Sequence, residues 1–353
     1  MFRNSRLRWL LGLLAVLSLL AAACGDDSES SDDGSGDGGS TESAVPVCLD
    51  IPALYALTGP ESTGFANWSD ATELATTVGS AYAEDLPDAP LTITGPGEES
   101  GTYDTYVEFV IEGIAEEQGL PEEEWVTRPD YTSSPNDNVI IEGISGTDDS
   151  LGWTGFAFAE ENADVVREIE IVGEDGSCVA PTIDTISDGS YPLSRPLFIY
   201  VSTASLADNP ATAAYVDYYL GDEGYAAVAD AGYVQMLEED FAATADAWAE
   251  AGGAPGEPEE GVSGEVIISG SSTVEPISSL VAESFSAANP DVSISVDGPG
   301  TGDGFELFCN GETDISDASR PIEQEEIDAC AASGVEYVQL QIALDGLSIL
   351  TKA

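Results

Sequence analysis

The chain has 353 residues, with 8 Lys plus Arg against 67 Asp plus Glu, no His and a net charge of −59. Such acidity argues against nucleic acid and anionic membrane surfaces as partners, while 42% hydrophobic and 8% aromatic residues exclude a wholly disordered chain. Without His there is no Ser-His-Asp triad, and neither a G-x-S-x-G elbow nor a Walker loop is present. No enzymatic activity is expected, hence no catalytic residue.

In chain order, residues 1–24 carry Arg3, Arg6 and Arg8, an apolar run from Trp9 to Leu20 and then Ala21-Ala22-Ala23-Cys24. This is the pattern of a secretory signal. Its end resembles a bacterial lipoprotein cleavage box, which would make Cys24 the lipidated first residue of an exported protein, anchored to the outer face of the cell membrane. Residues 25–45 are rich in Asp, Ser and Gly and read as an acidic tether. Residues 46–195 then alternate: a helix near Asp70–Ala83, a strand Leu91–Thr94, a helix Gly101–Gln118, and further segments Leu151–Phe158 and Arg167–Val172. Residues 196–353 do the same, with a strand Leu197–Val201, helices across Ala211–Ala231 and Phe241–Ala251, and the Glu265–Ala353 elements. This predicts an α/β fold of two lobes with mostly parallel strands. Residues 252–264, GGAPGEPEEGVSG, read as a linker inside the second lobe.

Four strand-to-helix junctions share one chemistry. They are Ser271–Val274, Thr301–Gly304, Ser100–Thr102 and Ser319–Arg320, each supplying hydroxyls, backbone N–H groups and the positive end of a helix. Anions bind at such places. Ser, Thr and Gly are also ordinary cap and turn residues, so the weight lies in four junctions together. Arg320 stands out because, beyond the N-terminal basic residues, only Arg128, Arg167, Arg195, Arg320 and Lys352 are cationic. Its planar fork suits an oxyanion, although a surface Arg paired with one of many carboxylates is the plainer reading.

The run from Glu265 to Lys352, with SGSSTVEP, GPGTGDGFELFCNGETDISDASRPI and ALDGLSIL, resembles the N-terminal part of the periplasmic phosphate-binding proteins of ABC importers. The run from Cys48 to about Ala249, with GPGEESGTYDTYVEF, DYTSSPNDNVIIEGI, LGWTGFAF and YPLSRPLFIYV, resembles the remainder of that family. The part that comes second in the family comes first here. The resemblance therefore implies a two-lobed periplasmic-binding-protein fold of type II in circularly permuted order, joined through the linker 252–264 and opened between Lys352 and Cys48. It implies inorganic phosphate as ligand, a membrane permease as partner, a monomer and no cofactor. Carried over residue by residue, the phosphate contacts are Thr273, Val274, Thr301, Ser319 and Arg320 on one side and Ser100, Gly101 and Thr102 on the other. The chain departs from the family at Pro96, where relatives carry an Arg, and at Ser319, where they carry an Asp. Arg320 would replace the missing cation. Glu98 or Glu99 would replace the carboxylate that accepts the proton of hydrogen phosphate and so rejects sulfate.

Beyond Cys24 the cysteines are Cys48, Cys178, Cys309 and Cys330, an even number in an exported chain. Pairing Cys309 with Cys330 and Cys48 with Cys178 keeps each bridge within one lobe. With no His and no CxxC, a metal site is not expected. The alternatives to phosphate delivery are a surface adhesion or scaffold protein, a fragment of a tandem fusion, and a binder of another tetrahedral oxyanion.

Overall fold

The computed structural model describes residues 45–256 and 261–353. The signal, Cys24, the tether up to residue 44 and residues 257–260 of the linker lie outside the described residues. Among the described residues, no helix is long and apolar enough to cross a membrane.

The strands are β1 (Cys48–Leu49), β2 (Thr92–Gly95), β3 (Thr132–Ser133), β4 (Ser150–Gly155), β5 (Val166–Val172), β6 (Cys178–Val179), β7 (Ser194–Ser202), β8 (Gly264–Gly270), β9 (Val292–Asp297), β10 (Ile315–Ala318) and β11 (Tyr337–Lys352). They hydrogen-bond in the order β3-β2-β4-β11-β7-β10-β8-β9, with β5 also pairing β11, β1 and β6. The first half of β11 runs antiparallel to β7 from Tyr337 opposite Ser202 to Gly346 opposite Ser194. Its second half lies between β4 and β5, with Ile349 opposite both Trp153 and Ile169. One strand thus serves both lobes. Leu340, Ile342 and Ala343 fill one core beside Val266, Ile277 and Phe285, and Leu347 and Ile349 fill the other beside Trp153, Tyr106 and Ile171.

The sheet is mixed rather than mostly parallel. β2, β3 and β4 are parallel to each other, as are β8, β9 and β10. The antiparallel pairs involve β7, β11 and the short β6. Parallel neighbours are joined by helical crossovers; β11, which continues from one lobe into the other, and β7, which pairs with its first half, are not bound by that constraint.

Three helices differ from their sequence reading. The segment near Asp70–Ala83 is a 3-10 turn Trp68–Ala71, a helix Thr72–Thr77 and a second turn Ala83–Asp85, interrupted at Gly79 with φ +89°. The segment Ala211–Ala231 divides into helices Pro210–Tyr219 and Asp222–Asp230, because Gly221 is extended between them. The helix expected over Gly101–Gln118 runs as α-helix Gly101–Tyr106, a π-helical turn Val107–Glu112 and α-helix Gly113–Gln118.

Both expected disulfides form, Cys48 to Cys178 and Cys309 to Cys330, with Cα separations of 6.0 and 4.2 Å. The N–H of Ala353 donates to Val165 O, and Arg167 Nη2 donates to Val45 O. Residues 45 and 353 therefore both lie at the Val166 end of β5.

Candidate functional site

In the lobe built on β8, three junctions meet at the strand ends. β8 stops at Gly270, with φ +156°, where a Cβ would lie 2.0 Å from the main-chain O of Asp317. Only glycine lets β8 and β10 approach so closely. Gly270→Ala is expected to lose about 1–3 kcal/mol of stability through this overpacking, read as a lower urea midpoint with an unchanged m-value. Ser271 N–H then donates to Asp317 O at 2.9 Å, and the turn closes with Val274 N–H donating to Ser271 O at 3.1 Å. Ser271 Oγ accepts from Thr273 N–H at 3.2 Å. Pro276 at the second helical position then favours the Glu275–Ala288 helix. Thr273 and Val274 are buried.

Thr301 begins the Thr301–Cys309 helix after Gly300, whose N–H donates to Gly270 O at 2.9 Å. Thr301 and Ser319 come together: their hydroxyls are 3.0 Å apart, and Ser319 N–H donates to Thr301 Oγ1 at 3.2 Å. Arg320 is held within its own lobe. Its Nη1 and Nη2 donate to Glu326 at 2.9 and 2.8 Å, Nε lies 3.4 Å from Glu323, and the guanidinium covers Phe305. Glu326 also closes a capping box by accepting from Glu323 N–H at 2.8 Å. The fork expected to face an anion is thus occupied by a carboxylate of the neighbouring helix.

In the other lobe, β2 ends at Gly95, where a Cβ would lie 2.8 Å from the Trp153 ring. Trp153 stacks on Tyr106 at 4.2 Å between centroids. Ser100 caps the Gly101–Tyr106 helix by accepting from Thr102 N–H at 3.3 Å. Gly101 faces the opposite lobe: a Cβ there would lie 3.7 Å from Ser272 O and 3.9 Å from Tyr233 Oη. Ser100, Gly101 and Thr102 are thereby brought up to the Ser271–Val274 turn.

Glu98 and Glu99 point elsewhere. Both are exposed and line a separate cavity of about 380 Å³ with Tyr103, Arg128 and Tyr131. The carboxylate facing the other lobe is Asp104, which accepts from Ser272 Oγ at 3.3 Å. Burial raises its pKa, the Ser272 bond opposing the rise.

The cation at the junction is Arg195, near the start of β7. Its Nη2 donates to Thr105 Oγ1 of one lobe and Thr273 Oγ1 of the other, each at 3.2 Å. Its Nη1 donates to Glu108, its Nε lies 3.4 Å from Asp345 in β11, and its plane covers Phe109 at 5.1 Å. Thr105, Thr273 and Asp345 are all buried. Sequence reasoning counted Arg195 among the few cations but gave it no role. The available signal was a guanidinium kept at a chain crossing in a protein this acidic.

Beneath the Ser271–Val274 turn, Asp317 is buried. Its Oδ1 accepts from Ser278 Oγ at 3.1 Å and its Oδ2 has no hydrogen-bond partner. Burial pushes its pKa from 3.8 up to about 7, the Ser278 bond opposing and Glu275 adding to the rise. Among the described residues, no group of His, Cys, Asp and Glu is arranged to hold a metal ion.

A family model described as a PBP superfamily domain matches residues 51–223 and 255–353. Protein SphX of Synechocystis sp. is 32% identical over 177 residues, 49% of this chain and 48% of the relative. The phosphate-binding protein PstS of Staphylococcus epidermidis is 33% identical over 160 residues, 45% of each chain. The chain spans about half the length of these relatives. Among solved structures, a phosphate-binding protein of a Streptococcus pneumoniae phosphate ABC transporter has the same fold. Its TM-score is 0.53 at 19% identity, covering 74% of this chain and 88% of that one. The mixed α/β sheet, the model match and this likeness agree: the chain belongs to the PBP superfamily, a family of solute-binding proteins rather than enzymes.

Proposed function

We propose that this chain captures inorganic phosphate between its two lobes and delivers it to the membrane permease of an ABC importer. The observation that carries this reading is the convergence on one largely buried guanidinium. Arg195 bonds both to Thr273, from the turn that opens one helix, and to Thr105, from the helix that Ser100 opens. Helix starts with hydroxyls and free N–H groups around a guanidinium suit a tetrahedral oxyanion. The phosphate-binding relatives support the ligand class.

In this reading the ligand meets Thr273, Val274, Thr301 and Ser319 from one lobe and Ser100, Gly101 and Thr102 from the other. Arg195 supplies the charge, while Arg320, held by Glu326, frames the Ser319 loop. Asp104, in place of Glu98 or Glu99, is the carboxylate that accepts the proton of hydrogen phosphate; sulfate has none to offer. The chain works as an exported monomer lipidated at Cys24. Its order is a circular permutation of the family's, joined through 252–264 and opened between Lys352 and Cys48. The half-length matches support that order, since a colinear comparison pairs only one of two exchanged segments at a time.

Equilibrium dialysis with radiolabelled phosphate tests the reading. One phosphate per chain is expected, resisting a large excess of sulfate, and Asp104→Asn is expected to let sulfate compete. Sulfate competing equally against the wild-type chain would refute the role of Asp104, and no bound phosphate would refute the reading as a whole.

A further inference from the structure

Both terminal nitrogens of Arg195 are bonded within the chain, while Nε lies 3.4 Å from Asp345 without a hydrogen bond. Nη2 is shared by Thr105 and Thr273, and Nη1 is taken by Glu108. These partners differ in how easily they can leave. The Asp345 side chain is 8% exposed and built into β11, whereas that of Glu108 is 39% exposed on the π-helical turn Val107–Glu112. A carboxylate at that exposure regains water when it swings out, while Asp345 has nowhere to go. Glu108 also sits among like charges. It raises the pKa of Glu112, where burial is the larger cause, and it contributes to the raised pKa of Asp104. Leaving Arg195 therefore relieves repulsion as well as breaking an ion pair.

From this geometry we infer that Glu108 is an intramolecular competitor for the anion: it holds the Nη1 edge of Arg195, and phosphate binds by displacing it. The inference rests on the reading that the anion meets Arg195. Binding strength is then set by the competition between two anions for one guanidinium edge. The apparent affinity is the intrinsic affinity reduced by the fraction of chains in which Glu108 has let go. Such a device keeps Arg195 charge-balanced and in place, and it weakens capture enough to allow release.

The test is Glu108→Gln, titrated with inorganic phosphate alongside the wild-type chain, with thermal melting of both without phosphate. Gln keeps the length and hydrogen-bonding capacity of the side chain but no longer competes as a charge. Phosphate is expected to bind about three- to tenfold more tightly, an effect the size of a partly exposed ion pair. The melting temperature is expected to stay equal or fall slightly. Tighter binding without a gain in stability distinguishes a competitor from a residue that merely positions Arg195, whose loss would lower both. Equal or weaker binding by Glu108→Gln, with the wild-type chain binding phosphate, would overturn the inference and leave the proposed function standing. Failure of both chains to bind phosphate would overturn the two together.

Discussion

Arg195→Gln is expected to weaken phosphate binding by about 30-fold to several thousand-fold, the 2–5 kcal/mol range for removing one partner of a buried, hydrogen-bonded charge pair. Arg195 links Thr105 to Thr273 across the lobes, so its loss removes both the charge and the bridge. Because Asp345 would be left buried without its cation, the informative companion is Arg195→Lys. That variant keeps the charge and gives up the fork, and an intermediate loss is expected. Arg320→Ala, whose fork belongs to Glu326, is expected to cost less than about tenfold, in line with a partly exposed ion pair. Calorimetric titration of the three variants separates the two cations. A large loss at Arg320 with none at Arg195 would move the anion to the Ser319 loop.

The second large effect is on stability. Burial lifts the Asp317 carboxyl to about 7 from the ordinary 3.8, so the folded chain keeps a proton that the unfolded chain releases. The stability this contributes is full below about pH 4, declines as pH rises and is lost once pH passes 7. At about 1.4 kcal/mol for each tenfold step in proton affinity, the loss approaches ~4 kcal/mol. Asp317→Asn cannot ionise and keeps an oxygen for the Ser278 hydroxyl. Relative to wild type, the variant is expected to be neutral or slightly destabilised at pH 4.5 and more stable by roughly 2–4 kcal/mol at pH 8. Urea denaturation at both pH values reads the difference directly and cancels the titration of the many other carboxylates. A difference that does not change with pH would mean that Asp317 does not titrate on folding.

Where local rules govern, the sequence was a good guide. The junctions read at Ser100–Thr102, Ser271–Val274 and Thr301–Gly304 open helices at Gly101, Glu275 and Thr301. The two disulfides followed from which cysteines share a lobe. What escaped the sequence depends on contacts between distant segments. Arg195 meets Thr105 and Thr273 across separations of 90 and 78 residues, and nothing in YPLSRPL announces either partner. The role expected of Arg320 overlooked a local signal. Glu323 and Glu326 form a capping box beside it, and Glu326 lies within reach of the same guanidinium. The expectation of mostly parallel strands failed at β7 and β11 because alternation of strands and helices says nothing about a strand shared by two lobes.

A crystal structure of the protein grown with phosphate shows whether the anion is held between the lobes against Arg195. Density for one tetrahedral anion is predicted between the Ser271–Val274 turn and the Ser100–Thr102 helix start, in contact with Arg195 and with Glu108 turned away. Phosphate bound at the Ser319–Arg320 loop alone, or outside the space between the lobes, would contradict the account.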